Sequence, residues 1–327
     1  MSNQRFLPVG MALLMACVWP VVAELQQPAA DMPGAKWNEE QIRAAAPIRV
    51  GRKLTPKAWP NGARVAVCLT FDVDAEASGA APADILPVPL SAREFGTEKG
   101  LPRILDLLDR HNVPATFYFA AMNATLNPQS VDQIQKRGRH EIGLKGWANE
   151  NLGALNNEAE EQRLLDQSIA ALTKVIGKRP VGWRAPSRTF SRYTLSQIIK
   201  AGFLYDSTMA GRDEPYEIVA NGQPTGFVEL PVDPILNDEP YFTRGGSLPS
   251  PELIFKAQRD EFDVAYSEGT MLMVMLHPHI SGHRSRIVHL ENLITYMKSK
   301  QGVWFATAEQ IANHVKASVK TQTADAR

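Results

Sequence analysis

The chain has 327 residues, 44% of them apolar, with 35 basic and 35 acidic side chains and no net formal charge. That is enough apolar chain for one large core. The charge balance excludes the basic surface that nucleic-acid or anionic-membrane partners require, and suits a neutral or weakly charged small-molecule or glycan substrate. It leaves monomer and homo-oligomer both open.

Residues 1–23 read as a secretory signal peptide. Arg5 is the positive start, Phe6 to Val22 is mostly apolar, and Val-Val-Ala at 21–23 is a small-residue exit. The stretch is too short and too Pro-interrupted for a spanning helix, so the expectation is a secreted or periplasmic protein with no membrane span after cleavage. Leu-Met-Ala-Cys at 14–17 is a loose lipobox, and a lipid anchor at Cys17 is the second reading. Cys17 and Cys68 are the two cysteines. Once the leader is removed Cys68 stands alone, so no intrachain disulfide is expected, and a thiol in an apolar strand reads as an inert small hydrophobe.

Residues 24–60, rich in Pro, Ala and Gln, read as an extended arm. Residues 61–317 read as one domain of alternating strands and helices, and 318–327 as a flexible tail. The first strand, 65–71, ends in Asp72 and Asp74, and a bend at its tip is expected to turn both carboxylates toward one pocket. A long connection through Pro82, Pro87 and Pro89 follows, which is expected to form part of the pocket wall. The pattern then gives a helix at 101–111, with Ile104, Leu105 and Leu108 at helical spacing, a strand at 115–120, a helix at 129–138 and a strand at 140–144. A helix at 157–176 opens with Asn and three Glu residues. Next come a strand at 181–184, a helix at 194–201, and strands at 203–206 and 226–231. The last elements are a helix at 251–267, a strand at 271–277, a helix at 287–300, a strand at 303–306 and a helix at 308–317. Such alternation implies a mostly parallel sheet, and does not by itself separate a barrel from an open sheet.

Four strand tips carry polar or Gly/Pro-marked motifs. They are Val-Cys-Leu-Thr-Phe-Asp-Val-Asp at 67–74, His-Glu-Ile-Gly-Leu-Lys-Gly-Trp-Ala-Asn at 140–149, Trp-Arg-Ala-Pro at 183–186 and Val-Met-Leu-His-Pro at 274–278. In this order they resemble the polysaccharide deacetylase (NodB-homology) family over residues 64–315, and most of all the branch holding peptidoglycan-deacetylase-like proteins, allantoinase-like proteins and cyclic imide hydrolases. The resemblance implies a distorted, incompletely closed (β/α)7-type barrel with its pocket at the carboxyl ends of the strands. It implies hydrolysis of a non-peptide carbon–nitrogen bond, in an N-acetylated sugar or a cyclic amide or ureide. By resemblance, Asp72 is the base, Asp74 the metal-side carboxylate, Arg184 the partner that holds Asp72, and His277 the acid. Trp147, Asn149, Trp183 and Pro186, which stand inside the motifs, are the substrate-binding candidates, and Phe95, Tyr241 and Phe242 are further aromatics in long loops.

One motif departs from the pattern. Metal-dependent members read Gly-x-His-Gly-(Tyr/Trp)-x-His, and here the two histidine slots hold Lys145 and Asn149. Asp74 alone does not make a zinc site, which takes three or four protein ligands, so zinc is disfavoured. Lys145 is read either as a catalytic cation, which neutralises the acids and polarises a carbonyl, or as a plain salt bridge in a pseudo-deacetylase that only binds a glycan or small amide. His279 and His283 read as rim residues, or with Asp74 as another metal site. His111 and His140 read as structural, and His289 and His314 as surface or packing residues.

Overall fold

The computed structural model describes residues 36–74, 86–155, 157–242 and 250–325. The leader, Cys17 and Pro82 lie outside the described residues. The chain divides into two compact units at Ala46. In the first, the helix Glu39–Ala45 starts with a capping box. The Asn38 side chain accepts from the Gln41 N–H, and the Gln41 side chain accepts from the Asn38 N–H, each at 2.9 Å. Residues 39–45 are therefore helical where an extended arm was expected; under two turns of helix show no readable period.

The second unit starts at Pro47. Its strands are β1 (Ile48–Lys53), β2 (Val65–Val73), β3 (Thr116–Phe119), β4 (Glu141–Leu144) and β5 (Gly182–Trp183). They continue with β6 (Tyr205–Asp206), β7 (Tyr216–Ala220), β8 (Gln223–Glu229), β9 (Met271–Leu276) and β10 (Val303–Phe305). All ten join one sheet. In the spatial order β9-β2-β3-β4-β5-β6-β8 every neighbour is parallel, which makes a barrel wall of seven strands. Among the described residues, the segment after β8 meets β9 through one isolated bridge, Asn237–Met275. This unit is thus the distorted, incompletely closed α/β barrel that the resemblance implied. β10 pairs with the foot of β2, at Val65 to Val67.

Pleat alternation sorts the wall into two shells. Val65, Val67, Leu69 and Phe71 of β2 face outward, into a core shared with Leu101, Ile104, Leu105 and Leu108 of the helix Leu101–His111. Ala66 and Cys68 face inward, among Tyr118, Tyr205, Met273 and Met275. Gly143 on β4 is needed inside: a Cβ there would lie 2.6 Å from the Tyr118 ring. The helix Glu158–Ile176 starts as expected, with the Asn157 side chain accepting from the Glu160 N–H at 3.1 Å and acids at 158, 160 and 161.

Other features also differ from the sequence reading. β1 and β7 add an antiparallel flap to β8, and β7 turns into β8 through Asn221 (φ 50°) and Gly222 (φ 75°), a two-residue hairpin. The last helix runs Ala308–Asp325, so the chain expected to be loose from 318 is helical to 325.

Candidate active site

Asp72 and Asp74 need no bend to face one pocket. They are two residues apart, so alternation puts both on the inner face of the β2 tip, and this corrects the expected bend. The Asn123 side chain donates to the Val73 carbonyl at 2.7 Å and fixes that tip. Lys145 follows β4 on the same inner face, with its N–H on the Phe119 carbonyl at 2.8 Å. Arg184 follows β5, with its N–H on the Leu144 carbonyl at 3.0 Å. His277 follows β9. All five side chains are buried and converge.

The Lys145 Nζ lies 2.5 Å from Asp74 Oδ2 and 3.1 Å from Asp72 Oδ2. Arg184 reaches Asp72 Oδ1 at 2.6 Å and Thr70 Oγ1 at 3.0 Å. Its other nitrogens donate to the Ser207 carbonyl and hydroxyl at 2.8 and 2.9 Å, and its plane lies 4.1 Å over the Tyr118 ring. Burial by itself would raise the pKa of Asp72; Lys145 and Arg184 outweigh it and hold the carboxyl well below the usual range. Burial alone would lower the pKa of Lys145, but the two aspartates outweigh that and keep the ammonium charged.

His277 Nδ1 donates to Asp238 Oδ1 at 2.7 Å, and its backbone N–H donates to Asp238 Oδ2 at 2.9 Å. Ser281 adds a hydroxyl to Oδ2 at 2.6 Å. Burial opposes protonation of the imidazole, yet Asp238 outweighs it and pushes the pKa up to about 9. The ring is therefore an imidazolium at neutral pH, with Nδ1 committed to Asp238 and Nε2 left for chemistry. Asp238 was missed in the sequence reading. It sits between the short turn Pro234–Leu236 and the helix Glu239–Phe242, with no periodicity to flag it.

Two buried carboxylate oxygens, Asp72 Oδ2 and Asp74 Oδ1, have no hydrogen-bond partner, although Lys145 stands at ion-pair distance from the first. A small cleft of about 10 Å³, roughly the room for one water, opens beside them, lined by Asp72, Asp74, Gly96, Thr97, Pro278 and His279. Residues 96–97 follow the helix Pro87–Phe95, so part of the long connection does form the wall. His279 is closer to the chemistry than a rim residue: its ring lies 5.5 Å from that of His277, and burial and His277 together hold its pKa well below the ordinary value.

The remaining sequence candidates stand elsewhere. Trp183 packs into the outer core against Phe203 at 5.5 Å, on the face of the strand opposite to Arg184. The Asn149 side chain accepts from the Ser187 N–H at 2.6 Å and ties the two loops together. Pro186 packs at Gly146, where a Cβ would meet it at 2.7 Å, and Trp147 is half-buried against the core with its N–H on Glu150. Phe95 stacks on His283 at 4.0 Å and Phe242 lies under Arg286; both are at the ends of short helices, not in long loops. Cys68 is buried, and burial and Glu141 push its thiol up to about 12, which leaves it inert. His140 accepts from the Ala115 N–H, His111 pairs with Glu291, His289 stacks on Phe255, and His314 bonds the Ala58 carbonyl, all structural contacts.

Do these residues fit a metal ion? One ligand atom from each of Asp72, Asp74 and His277 lies within 4.8 Å of the others, and this is the only such group among the described residues. The Lys145 ammonium, however, stands against both aspartates, and Asn149 spends its oxygen on a backbone N–H. The donor set does not fit the family's usual two-histidine zinc site.

The sequence pattern of the polysaccharide deacetylases matches residues 60–205. A solved structure from Mycobacterium smegmatis, assigned to the polysaccharide deacetylases, is 35% identical, with a TM-score of 0.74 over 82% of this chain and 96% of that one. The chain belongs to the polysaccharide deacetylase family. The Puue allantoinase structure is 28% identical, with a TM-score of 0.72 over 79% of this chain and 92% of its own. The peptidoglycan deacetylase of Helicobacter pylori is 27% identical over 281 residues, 76% of this chain and 95% of that protein. Membership places this polysaccharide deacetylase relative among hydrolases of non-peptide carbon–nitrogen bonds.

Proposed function

We propose that this chain hydrolyses a small cyclic amide or ureide, with the Lys145 ammonium in place of the zinc ion. The observation that carries the reading is the position of Nζ, 2.5 Å from Asp74 and 3.1 Å from Asp72, between the acids that would otherwise hold a cation. The narrow cleft and the likeness to an allantoinase favour a compact ring over an extended glycan.

The roles follow from the charges. A carboxyl held far below its usual pKa is a weak base at equilibrium. Asp72 therefore orients a water through Oδ2, which accepts no hydrogen bond within the protein, and takes the proton only as the new carbon–oxygen bond forms. Lys145 faces the developing oxyanion and stabilises it without reorganising. His277 donates its Nε2 proton to the leaving nitrogen as the carbon–nitrogen bond breaks, and is reprotonated at the expense of Asp72. Asp74 keeps Lys145 charged and aimed, and Arg184 fixes Asp72.

The leader pattern at residues 1–23 is the support for export, and no helix among the described residues is long and apolar enough to cross a membrane. A second reading has one observation in its favour. Lys145 neutralises the acid pair as a buried ion pair, which fits a pocket that binds without turning over, as a pseudo-deacetylase.

The test is a panel of cyclic ureides, cyclic imides and N-acetylated glucosamine oligomers, assayed with chelator-treated protein for ring opening and for acetate release. Ring opening unaffected by chelator supports the proposal. Acetate release that needs added zinc overturns it, and saturable binding without product selects the pseudo-deacetylase. The double variant Lys145→His/Asn149→His sharpens the result. Loss of the ring-opening activity means the ammonium is used; a gain of zinc together with acetate release means a decayed deacetylase site.

A further inference from the structure

Behind Arg184, on the outer face of the barrel wall, two fully buried acids stand side by side. Asp206 ends β6, Glu229 ends β8, and the two are paired in register. One oxygen of each is used by the segment that follows β6. Asp206 Oδ1 accepts the Thr208 hydroxyl at 2.6 Å, and Glu229 Oε1 accepts the N–H groups of Thr208 and Met209 at 2.8 and 2.9 Å. The other oxygens, Asp206 Oδ2 and Glu229 Oε2, are buried without a donor. Two adjacent buried carboxylates cannot both carry charge without a large repulsion, whereas a single proton between the orphaned oxygens satisfies both.

The segment these acids hold is the one that holds Arg184. Ser207 gives Arg184 its carbonyl and its hydroxyl, and the Thr208 hydroxyl accepts the Ala185 N–H at 2.8 Å. We propose that Asp206 and Glu229 share one proton and act as a positioning pair, which sets Arg184, and through it Asp72, by clamping residues 207–209. This rests on the reading of Asp72 and Arg184 as reaction machinery. The charged and titratable groups around the pair are Arg184 and Arg188 from the β5 side, Tyr216 from β7, and Arg212 beyond Tyr216. Both acids are shifted toward the protonated form, burial first and then each other's charge for Glu229, with burial dominant for Asp206.

The linkage sign is fixed by that direction. Free carboxyls ionise near pH 4, the folded pair keeps its proton to higher pH, and stability falls as pH rises through that interval. Glu229→Gln replaces the shared proton by an amide that can donate to Asp206 without titrating.

Three readouts test the pair. Infrared difference spectra at neutral pH, wild type minus Glu229→Gln, should show the carbonyl stretch of a protonated carboxyl, and so should wild type minus Asp206→Asn. The fall of melting temperature with rising pH should be shallower in Glu229→Gln. Glu229→Ala should lose kcat by about 100-fold at little change in KM, as expected for a misplaced catalytic group, and Glu229→Gln should restore most of it. Absence of the carboxyl band, an unchanged pH slope in Glu229→Gln, or a Glu229→Ala enzyme with wild-type kcat would each overturn the proposal. Should no panel compound turn over, the function reading fails alone, because the spectra and the stability slope still decide the pair. If Glu229→Ala does not fold, the two amide variants carry the test.

Discussion

Two buried polar clusters share the interior of this barrel, and they are built on opposite rules. Toward the foot, Glu141 accepts from Tyr205 and Thr116 at 2.8 Å and from the Glu309 N–H at 2.8 Å, and Tyr205 bonds Tyr118 at 2.9 Å. Neither Glu141 oxygen is left without a donor. Burial pushes the Glu141 carboxyl up to about 7, and the cluster needs no ion pair. At the strand tips, three acids and three basic groups crowd together, and Asp72 Oδ2 and Asp74 Oδ1 accept no hydrogen bond. A satisfied network is scaffold; a charged network with spare acceptors beside a cleft is a place where a substrate or water can complete the bonding. The Tyr118 ring belongs to both, since it joins the foot network through its hydroxyl and carries Arg184 on its face.

Substitutions should separate the two clusters by the size and kind of loss. The largest effects are expected from His277→Ala and Asp72→Asn, about 10²–10⁴-fold in turnover of the best panel substrate, the range for a lost acid or base. Wild-type rates in either would remove the strand-tip cluster from the chemistry. Lys145→Met comes next. It should lose about 100-fold in kcat. Because it also leaves two buried acids with less compensation, it should cost about 3–5 kcal/mol in urea denaturation.

Asp238→Asn is expected to act on the pH profile more than on the maximum. In the wild type the His277 pKa is about 9 against 6.5 for the free group. Activity should therefore fall on the alkaline side near pH 9. The stability from this imidazolium is fully present below pH 6.5 and is lost as pH rises through about 9. Asp238→Asn should move both limbs toward lower pH; an unmoved alkaline limb would assign it to another group. The smallest effect on chemistry belongs to Glu141→Gln: about 1–3 kcal/mol in stability and kcat/KM within error of wild type. A loss of activity there as deep as that of Lys145→Met would erase the distinction between the clusters.

The strand tips were legible in the sequence because each is an apolar run broken by a charged or Pro-marked stop. Asp72, Asp74, Lys145, Arg184 and His277 were all placed by that pattern together with the family resemblance. The hairpin at Asn221-Gly222 also carried a readable turn signal, and β7 was passed over because its Ile-Val-Ala run breaks the apolar/polar alternation. Asp238 was not legible. An acid in a loop gives no period, and its value comes from the His277 ring 39 residues away. Trp183 shows the opposite error. Being one residue from Arg184 in sequence puts a side chain on the other face of a strand.

The sequence by itself determined the alternation of strands and helices and the polar groups at the strand ends, because hydrophobic period and strand-end chemistry are local properties; the barrel and its seven-strand wall came from the resemblance. Only the tertiary structure decided which partner each charge has: that Lys145 sits between two aspartates, that the Asp238 carboxylate keeps His277 protonated, and that Asp206 and Glu229 meet behind Arg184. Burial and charge pairing set those states, and both depend on residues brought together from distant strands.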